Sequence, residues 1–281
     1  MGAAPTVSRA QAPRPDQQVA LVTGSTSGLG REVALRLGSM GVHVIVHGRD
    51  RDRGMDVVRE IEREGSGSAR FYAADFGSFI EVRRLAESVL RDYGRLDILV
   101  NNAGIGSSPA ERLVSKDGHE LRFQVNYLAG FLLTRMLMDR VVESAPSRIV
   151  NVSSLAQMPI DFDDVMLDDD YTDGRAYAQS KLAQIMFTFD LAEELAGSGV
   201  STNAVHPASM MDTDMVLERG ARVRSSVHDG VDAVMHLIDG DDLGTGGYFN
   251  QTTPTRANQQ AYDERARERL RALAERLTAG R

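Results

Sequence analysis

Short runs of β-branched and apolar residues alternate along the chain with longer stretches in which apolar residues recur at helical spacing. Parallel strands need long crossover connections, and this alternation is typical of a sheet whose helices supply them. The pattern therefore predicts a doubly wound α/β fold with a parallel sheet of about seven strands. The expected strands are VALVT from Val19, VHVIVH from Val42, ARFYAAD from Ala69, LDILVNN from Leu96, RIVNVSS from Arg148, VSTNAVH from Val200 and GGYFN from Gly246.

The stretches between the strands predict one domain with a helical C-terminus. With 281 residues, 42% of them hydrophobic, the chain can bury one sizeable core. We expect a single Rossmann-type domain over residues 19–281, preceded by a disordered lead-in, Met1 to Gln18, that is rich in Ala, Pro, Gln and Arg. Helical patterns begin near Gly28, Asp52, Ser78, His119, Asp173 and Val223, and a last helix carries Tyr262, Ala266, Leu270, Leu273 and Leu277 at helical spacing.

Composition excludes several classes of protein. The formal charge of −8 argues against a nucleic-acid partner, because such proteins need a basic face. The chain has no cysteine, so it has no disulfide and no thiolate metal site, and the six histidines show no ligand spacing. No apolar run approaches the length of a membrane span. These features predict a metal-free, cytoplasmic protein.

Two segments interrupt the alternation of strands and helices. They are the acidic stretch from Met158 to Gly174 and the Met-bearing stretch from Ala208 to Arg222, and each follows the end of a strand. Ligands bind at that edge of an open α/β sheet, so both segments are candidate lids. The acidic stretch has a simpler interpretation as a solvated loop.

A glycine-rich segment, Thr23 to Gly30, follows the first strand and opens a helical pattern. Glycines in this position allow a tight turn and a close approach of the helix N-terminus to a pyrophosphate. A purely structural turn is the alternative, but strand, loop and helix in this order favour a dinucleotide site.

The end of the second strand, His47-Gly48-Arg49, bears on which dinucleotide binds. Sites for NAD usually place an acid here for the ribose hydroxyls, whereas a 2′-phosphate needs a cation. Gly48 stands where the acid is expected and Arg49 follows, which predicts NADP(H). Alternatively, Arg49 opens a solvated charged run, and Ser25 and Thr26 hold the phosphate.

Tyr177 and Lys181 are four residues apart in a helical pattern and therefore share a face. The pKa of an unperturbed tyrosine is about 10, so tyrosine is a poor base at neutral pH unless a cation stabilises the phenolate. A downward shift of about three pH units corresponds to roughly 4 kcal/mol. The pair thus predicts a general acid/base.

In their order along the chain, these motifs resemble the short-chain dehydrogenase/reductase family. The resemblance covers nearly everything after Gln18 and rests on the segments Thr23 to Gly30, Asn101-Asn102-Ala103-Gly104 and Tyr177-Ala178-Gln179-Ser180-Lys181, together with Asp75, Asn126 and Ser154. It implies that Asp75 bonds the adenine, that the Asn101 to Gly104 segment buttresses the central strand, that Ser154 bonds the reacting oxygen, that Asn126 anchors a water of the proton relay and that Lys181 also binds the nicotinamide ribose. Ser153 is then structural.

The segment after the sixth strand departs from the family pattern. Ala208 replaces the usual glycine after Pro207, and Thr213 lies one residue later than the threonine that contacts the carboxamide of nicotinamide.

Together, the motifs and the resemblance give two sets of candidate site residues. The catalytic candidates are Asn126, Ser154, Tyr177 and Lys181, and the cofactor-binding candidates are Gly24, Ser25, Thr26, Ser27, Gly28, Leu29, Gly30, Arg49, Asp75, Phe76, Asn102, Ala103, Gly104, Tyr177, Lys181, Pro207 and Thr213.

Within the family, the chain resembles the retinol-dehydrogenase-like branch through RIVNVSSLAQ, the long insert before Tyr177, RAYAQSKLAQIMFTFDLAEEL and NAVHP. The resemblance implies an NADP(H)-dependent oxidoreductase acting on a bulky apolar alcohol or carbonyl compound. A dinucleotide-sensing regulatory protein and a carbon–carbon double-bond reductase remain alternatives on the same fold. Met210, Met211, Met215, Val216 and Leu217 either line the substrate pocket or pack in the core.

The family also commonly forms homodimers or homotetramers through two long helices. Here these correspond to Phe123 to Met138 and Arg175 to Leu195, and the second carries an apolar stripe of Leu182, Ile185, Met186 and Phe189. The stripe is either an interface between subunits or internal packing against the sheet.

Overall fold

The computed structural model describes residues 12–106, 111–217, 220 and 222–280. Its strands are β1 (Val19–Val22), β2 (His43–Gly48), β3 (Ser68–Ala73), β4 (Ile98–Asn101), β5 (Ser147–Val152), β6 (Val200–His206), β7 (Tyr248–Asn250) and β8 (Thr253–Pro254). They form a single sheet in the order β3-β2-β1-β4-β5-β6-β7-β8. All neighbouring pairs are parallel except β7 and β8.

Helices cover both faces of the sheet. They are α1 (Gly28–Ser39), α2 (Arg51–Glu64), α3 (Phe79–Asp92), α4 (Leu121–Phe123), α5 (Ala129–Glu143), α6 (Asp173–Glu194), α7 (Asp214–Leu217), α8 (Val227–Asp239) and α9 (Glu264–Thr278). One apolar core joins the sheet to α1, α2 and α8, and the other joins it to α3, α5, α6 and α9. Successive residues of β1 enter opposite cores, which explains why VALV is apolar throughout. The predicted doubly wound fold is confirmed.

The seven predicted strands are present, and β8 is an addition. It is two residues long, pairs antiparallel to β7 at the edge of the sheet and contains Pro254, which lacks a backbone donor. A strand this short has no alternating pattern, so its sequence gives no signal.

The order of the strands fixes where a ligand can bind. From the central strand β1, the chain first proceeds outward to β2 and β3, and then returns to build β4, β5, β6 and β7 on the other side. The direction of winding therefore changes between β1 and β4, and a crevice opens at the carboxyl ends of these two strands.

Gln17, which falls within the predicted lead-in, packs against the domain. Residues 1–11 of the expected lead-in lie outside the described residues, but Gln17 is buried. Its Nε2 donates to the carbonyl oxygen of Gly41 at 2.7 Å, and its Oε1 accepts from the hydroxyl of Ser68 at 3.1 Å. Gln17 thus belongs to the domain, because its amide is satisfied by the β2 and β3 ends of the sheet.

The acidic stretch from Met158 to Gly174 is a packed loop rather than a lid. Ile160, Val165 and Leu167 are buried in the core, and the side chain of Gln260 bonds both the N–H and the carbonyl oxygen of Ile160. These three apolar residues therefore pack the loop against the core, while most of its aspartates are exposed. Of this stretch, only Gly174 lines the main cleft among the described residues.

The apolar stripe of α6 is internal. Leu182, Ile185 and Met186 are fully buried, and Phe189 packs against Tyr262 with ring centroids 5.4 Å apart. The C-terminal helix α9 lies over α6, where its Arg267 pairs with Asp190 and Glu193. The stripe is consequently not available as a surface for another subunit.

Candidate active site

A cleft of about 790 Å³ opens at the carboxyl ends of β1, β2, β4, β5 and β6. It runs from the glycine-rich segment, past Asn102 to Gly104, to Tyr177 and Lys181 on α6. Of the candidate site residues, all but Ser25 and Asn126 line this cleft. The chain thus brings together residues that are as far apart in the sequence as Gly24 and Thr213.

Two glycines of the glycine-rich segment, Gly24 and Gly30, have no room for a side chain. Gly24 and Gly28 have φ angles of +65° and +53°, in the left-handed region that favours glycine. A Cβ on Gly24 would lie 2.8 Å from the Cα of Ala103, and one on Gly30 would collide with the Gly24 carbonyl oxygen and the Asn102 amide. The backbone itself therefore forms the surface that a ligand meets.

The first turn of α1 presents backbone N–H groups without a side-chain cap. Ser27 occupies the N-cap position but makes no capping hydrogen bond. By contrast, Asp50 caps α2 and Thr172 caps α6 through their side chains. Uncapped N–H groups and the helix dipole at this end favour an anion, so the residues present fit the pyrophosphate of a dinucleotide.

Asn102 and Thr23 fasten the two edges of the crevice to each other. Asn102 Nδ2 donates to the Thr23 carbonyl oxygen at 2.8 Å, and the Thr23 hydroxyl accepts from the N–H groups of Asn102 and Ala103, both at 2.9 Å. Behind them, Asn101 Nδ2 donates to Asn151 on β5 and to Thr134 on α5. The segment after β4 is thereby held against the glycine-rich loop.

The structure does not bring the Ser25 side chain into the cleft. Ser25 is fully buried, its hydroxyl donates to the Val22 carbonyl oxygen at 2.7 Å, and it accepts from the His47 N–H at 3.0 Å. A phosphate cannot reach a hydroxyl that is turned into the fold, so Ser25 ties the loop to β2. Thr26 does line the cleft, beside Gly48.

The end of the cleft next to β2 and β3 is lined by Arg49, Asp75 and Phe76. Arg49 is exposed on the rim, and within the described residues its guanidinium takes part in no ion pair. Asp75 accepts from the Gly77 N–H at 2.9 Å and pairs with Lys116 at 3.0 Å. Partial burial opposes ionisation of Asp75, but these two partners outweigh it and lower the pKa of the carboxyl.

Tyr177 and Lys181 project from the same face of α6 into the other end of the cleft. Lys181 Nζ lies 5.7 Å from the centroid of the Tyr177 ring and donates to the Val152 carbonyl oxygen and to Gln184 Oε1, both at 2.9 Å. Burial lowers the pKa of Lys181 to about 7. A phenol and an amine that gains or loses its proton near neutral pH thus stand side by side.

The two serines after β5 have different surroundings. Ser153 donates its hydroxyl to the Lys181 carbonyl oxygen at 2.7 Å, which commits it to the backbone of α6. Ser154 lines the cleft, and its hydroxyl oxygen accepts from the Ala156 N–H at 3.1 Å. The Ser154 carbonyl oxygen accepts from the Tyr248 hydroxyl at 2.9 Å, so β7 helps to fix the position of this residue.

Asn126 lies behind the cleft rather than on its wall. It is part of a π-helical turn, Gln124–Leu128, between α4 and α5. Its Oδ1 accepts from the Ile105 N–H at 2.8 Å, and its Nδ2 donates to Ser180 Oγ at 2.9 Å. Asn126 therefore joins the segment after β4 to α6. Such π-turns are frequent at functional sites.

The segment after β6 lies across the cleft. Thr213 lies close to the glycine-rich loop, since a Cβ built on Gly28 would lie 3.3 Å from Thr213 Cγ2. Met210, Met211, Met215 and Val216 line the cleft, whereas Leu217 does not. Residues 218, 219 and 221 of this candidate lid lie outside the described residues.

Sequence reasoning missed three residues of this site. His206 lines the cleft, and burial, followed by the nearby Lys181, lowers its pKa to about 4. Gln184 and Tyr248 hold Lys181 and Ser154. The His-Pro pair at the end of β6 was a usable signal for His206, but a glutamine inside a helix and a tyrosine inside a strand give none.

Two further types of site are absent from the described residues. No three His, Asp or Glu side chains there come close enough to hold a metal ion. No helix in this part of the chain has the length and apolar character that crossing a membrane requires. The cytoplasmic location stays a prediction.

A model of the short chain dehydrogenase family matches residues 18–223, and the chain belongs to this family. Retinol dehydrogenase 13 of Mus musculus is 41% identical over 191 residues, which cover 66% of this chain and 57% of that protein. Retinol dehydrogenase 12 of Homo sapiens is 34% identical over 267 residues, which cover 90% of this chain and 84% of that protein. The chain thus falls in the retinol-dehydrogenase-like branch, although the match to the first relative spans little more than half of its length.

Solved structures share the fold over most of the chain. An uncharacterised protein of Mycobacterium paratuberculosis superposes with a TM-score of 0.77 at 28% identity, covering 96% of each chain. A metagenomic short-chain oxidoreductase, solved in complex with NADP, superposes with a TM-score of 0.66 at 29% identity, covering 85% of this chain and 98% of the other.

Proposed function

We propose that this protein is an NADP(H)-dependent oxidoreductase that interconverts an alcohol and a carbonyl compound, with Tyr177 as the general acid/base. The observation that carries the proposal is the meeting of Tyr177, Lys181 and Ser154 in one cleft with an uncapped, glycine-lined helix N-terminus. One end of the cleft is suited to a pyrophosphate, and the other offers a proton donor for a reacting oxygen.

When bound, a nicotinamide cofactor supplies or accepts the hydride. The Tyr177 hydroxyl gives its proton to the carbonyl oxygen during reduction and takes it back during oxidation. The Ser154 hydroxyl donates a hydrogen bond to the same oxygen and so orients it. Lys181 stabilises the phenolate form of Tyr177 while its own amine is protonated. Asn126 is proposed to anchor a water behind Lys181, next to Ile105 and Ser180.

Three observations support NADP(H) over NAD(H). Gly48 offers no carboxylate to the ribose hydroxyls, and the Arg49 guanidinium, which takes part in no ion pair among the described residues, stands on the rim at the same end of the cleft. Because the Ser25 hydroxyl points into the fold, Arg49 rather than Ser25 is proposed to hold the 2′-phosphate. In addition, one structural relative was solved with NADP.

The substrate is proposed to be a bulky apolar alcohol or aldehyde. Leu155, Met210, Met215 and Val216 line the cleft, and Met side chains adapt to irregular apolar shapes. Met211 also lines the cleft but packs against the core formed with α1 and α8. The names of the relatives, retinol dehydrogenases, agree with such a substrate. A homodimer or homotetramer would have to use a surface other than the α6 stripe. Light scattering measures the oligomeric state directly.

The structure disfavours one of the two alternative functions, the dinucleotide-sensing protein, and an assay is needed to test the other, the carbon–carbon double-bond reductase. A dinucleotide-sensing protein has no use for a buried lysine beside a cleft tyrosine, so this pair favours an enzyme. A carbon–carbon double-bond reductase would use the same cofactor on an enone. The test is to follow NADPH and NADH absorbance with a panel of apolar aldehydes, ketones and enones. Turnover of aldehydes or ketones with NADPH is the expected result, and turnover of enones alone or of no compound would contradict the proposal.

A further inference from the structure

His47 is a buried histidine in the wall of the cleft, at the end next to β2 and β3. It is the last residue but one of β2, and its side chain is 2% exposed. Both ring nitrogens are bonded. The Gly24 N–H donates to Nδ1 at 3.1 Å, and Nε2 lies 3.2 Å from the Ala74 carbonyl oxygen.

These two partners define the protonation of the ring. A backbone N–H can only donate, so Nδ1 carries no proton, and a carbonyl oxygen can only accept, so Nε2 carries one. His47 is therefore neutral. Burial supports this state, because it lowers the pKa of His47 to about 4 despite the opposing bond to Ala74.

The ring also supports an aromatic wall. It stacks on Phe76, with ring centroids 4.5 Å apart and an interplanar angle of 27°. Phe76 itself lines the cleft. One side chain thus contacts three separate segments around the same ligand surface, namely the glycine-rich loop at Gly24, the end of β3 at Ala74 and the aromatic wall at Phe76.

Gly24 depends on this contact more than an ordinary loop residue does. Its φ angle of +65° turns its N–H toward His47, and its opposite side abuts Ala103. Among the described residues, the His47 ring is the acceptor for this N–H. Without the ring, the first glycine of the dinucleotide loop would lose the bond that fixes its orientation.

We propose that His47 is a positioning residue for the adenosine half of the cofactor, acting through Gly24 and Phe76. The inference rests on the proposed function, since it presumes that a dinucleotide binds in this cleft. It assigns to the end of β2 a role beyond the choice between NADP(H) and NAD(H). The backbone of residue 47 bonds to Ser25 independently of the ring. Side-chain variants therefore keep the connection between β2 and the loop and test the ring alone.

The variants separate the contacts. His47→Phe keeps an aromatic ring to stack on Phe76 but removes both hydrogen bonds. In His47→Asn the side-chain oxygen takes the acceptor position of Nδ1, so the bond to Gly24 is kept while the stack is lost. His43→Phe is the matched control, because His43 is a second buried histidine of β2 whose ring contacts Ser68 and Tyr93, away from the cleft.

The measurement is the Kd of adenosine 2′,5′-bisphosphate, a probe for the adenosine half alone, together with KM for NADPH, kcat and the melting temperature. In His47→Phe, we expect the Kd of the probe and the KM for NADPH each to rise on the order of tenfold, the equivalent of one hydrogen bond. The change in kcat should be smaller. His47→Asn should recover part of the affinity. His43→Phe should lower the melting temperature while the probe affinity of the folded protein stays unchanged.

Unchanged probe affinity in His47→Phe would overturn the inference. So would equal weakening in His43→Phe, since that result would mean a loss of stability rather than of positioning. If His47→Phe does not fold, the probe affinity of His47→Asn provides the test instead. This variant keeps an acceptor for the Gly24 N–H, so an affinity one-hundredth of the wild-type value or lower would exclude the proposed role of that hydrogen bond. A wild-type protein that binds neither the probe nor NADPH would overturn the proposed function itself, which distinguishes the two failures.

Discussion

Lys181 Nζ lies 5.7 Å from the centroid of the Tyr177 ring, and both side chains face the same cleft. Burial lowers the pKa of Lys181 to about 7. A phenolate on Tyr177 would favour the ammonium in turn, so the two groups titrate as a coupled pair.

Replacing the cation should therefore change both binding and pH dependence. In Lys181→Met we expect weaker cofactor binding and an acidic limb of the oxidation profile that moves to higher pH, because the phenolate loses its cation. Turnover should fall by about two orders of magnitude or more. The measurements are cofactor Kd and kcat as functions of pH. Lys116→Met is the control, since it removes a lysine at the Asp75 end of the cleft and should leave the position of the acidic limb unchanged. An unmoved limb in Lys181→Met would contradict the assignment.

The exposed Arg49 is expected to hold the 2′-phosphate. Arg49→Ala should lower kcat/KM for NADPH by roughly tenfold to a hundredfold, the equivalent of one charge-assisted hydrogen bond, and should barely affect NADH. Arg51→Ala removes a neighbouring exposed arginine outside the cleft and is the matched control. Equal losses with both cofactors in Arg49→Ala, or a wild type that prefers NADH, would rule out this role.

A change of preference toward NADH needs two substitutions. An aspartate at Gly48 would repel the 2′-phosphate and accept from the ribose hydroxyls. However, a Cβ at Gly48 would lie 2.5 Å from Thr26 Cγ2 and 2.7 Å from its Oγ1, which is closer than side chains tolerate.

Gly48→Asp alone should thus impair both cofactors, and Gly48→Asp with Thr26→Ala should recover NADH and not NADPH. The kcat/KM values for both cofactors in the single and double variants provide the test. A single variant that gains NADH activity as fully as the double variant would show that Thr26 is not an obstacle.

Stability should fall as the pH is lowered from about 6.5 toward 4. Burial lowers the pKa values of His43, His47 and His206 to about 4, whereas in the unfolded chain they are about 6.5. Between these values the unfolded state binds more protons, so acid favours unfolding by about 1.4 kcal/mol per pH unit for each histidine. Glu120 and Asp190, whose pKa values burial raises, act in the opposite sense near the acid end.

Urea denaturation at a series of pH values across this window measures the effect. His43→Phe removes one of these histidines and should make the unfolding free energy less dependent on pH in this window. A free energy of unfolding that does not change with pH would contradict the lowered pKa values of these rings in the folded state.

The fold was predictable because strand and helix patterns are carried by many residues at once. The seven main strands and the glycine-rich loop followed from β-branched runs and from glycines in their proper places. The packing of the acidic loop was not predictable from the sequence. Its three buried apolar residues, Ile160, Val165 and Leu167, follow no periodic pattern. The direction of a single hydroxyl, as at Ser25, depends on tertiary partners and has no signature in the sequence.

The candidate site shows the same division. Tyr177 and Lys181 could be paired from their spacing on a helix. The two bonds of His47 and the π-turn at Asn126 could not be predicted, because they depend on contacts between segments far apart in the chain.

Tyr177 is proposed to transfer the proton in an NADPH-dependent carbonyl reduction. The most direct test compares wild type with Tyr177→Phe, measuring NADPH binding by fluorescence and carbonyl-dependent NADPH oxidation by absorbance. The variant loses only the hydroxyl, so NADPH binding should be retained while turnover falls by about two to four orders of magnitude. Near-native turnover in Tyr177→Phe would contradict the account.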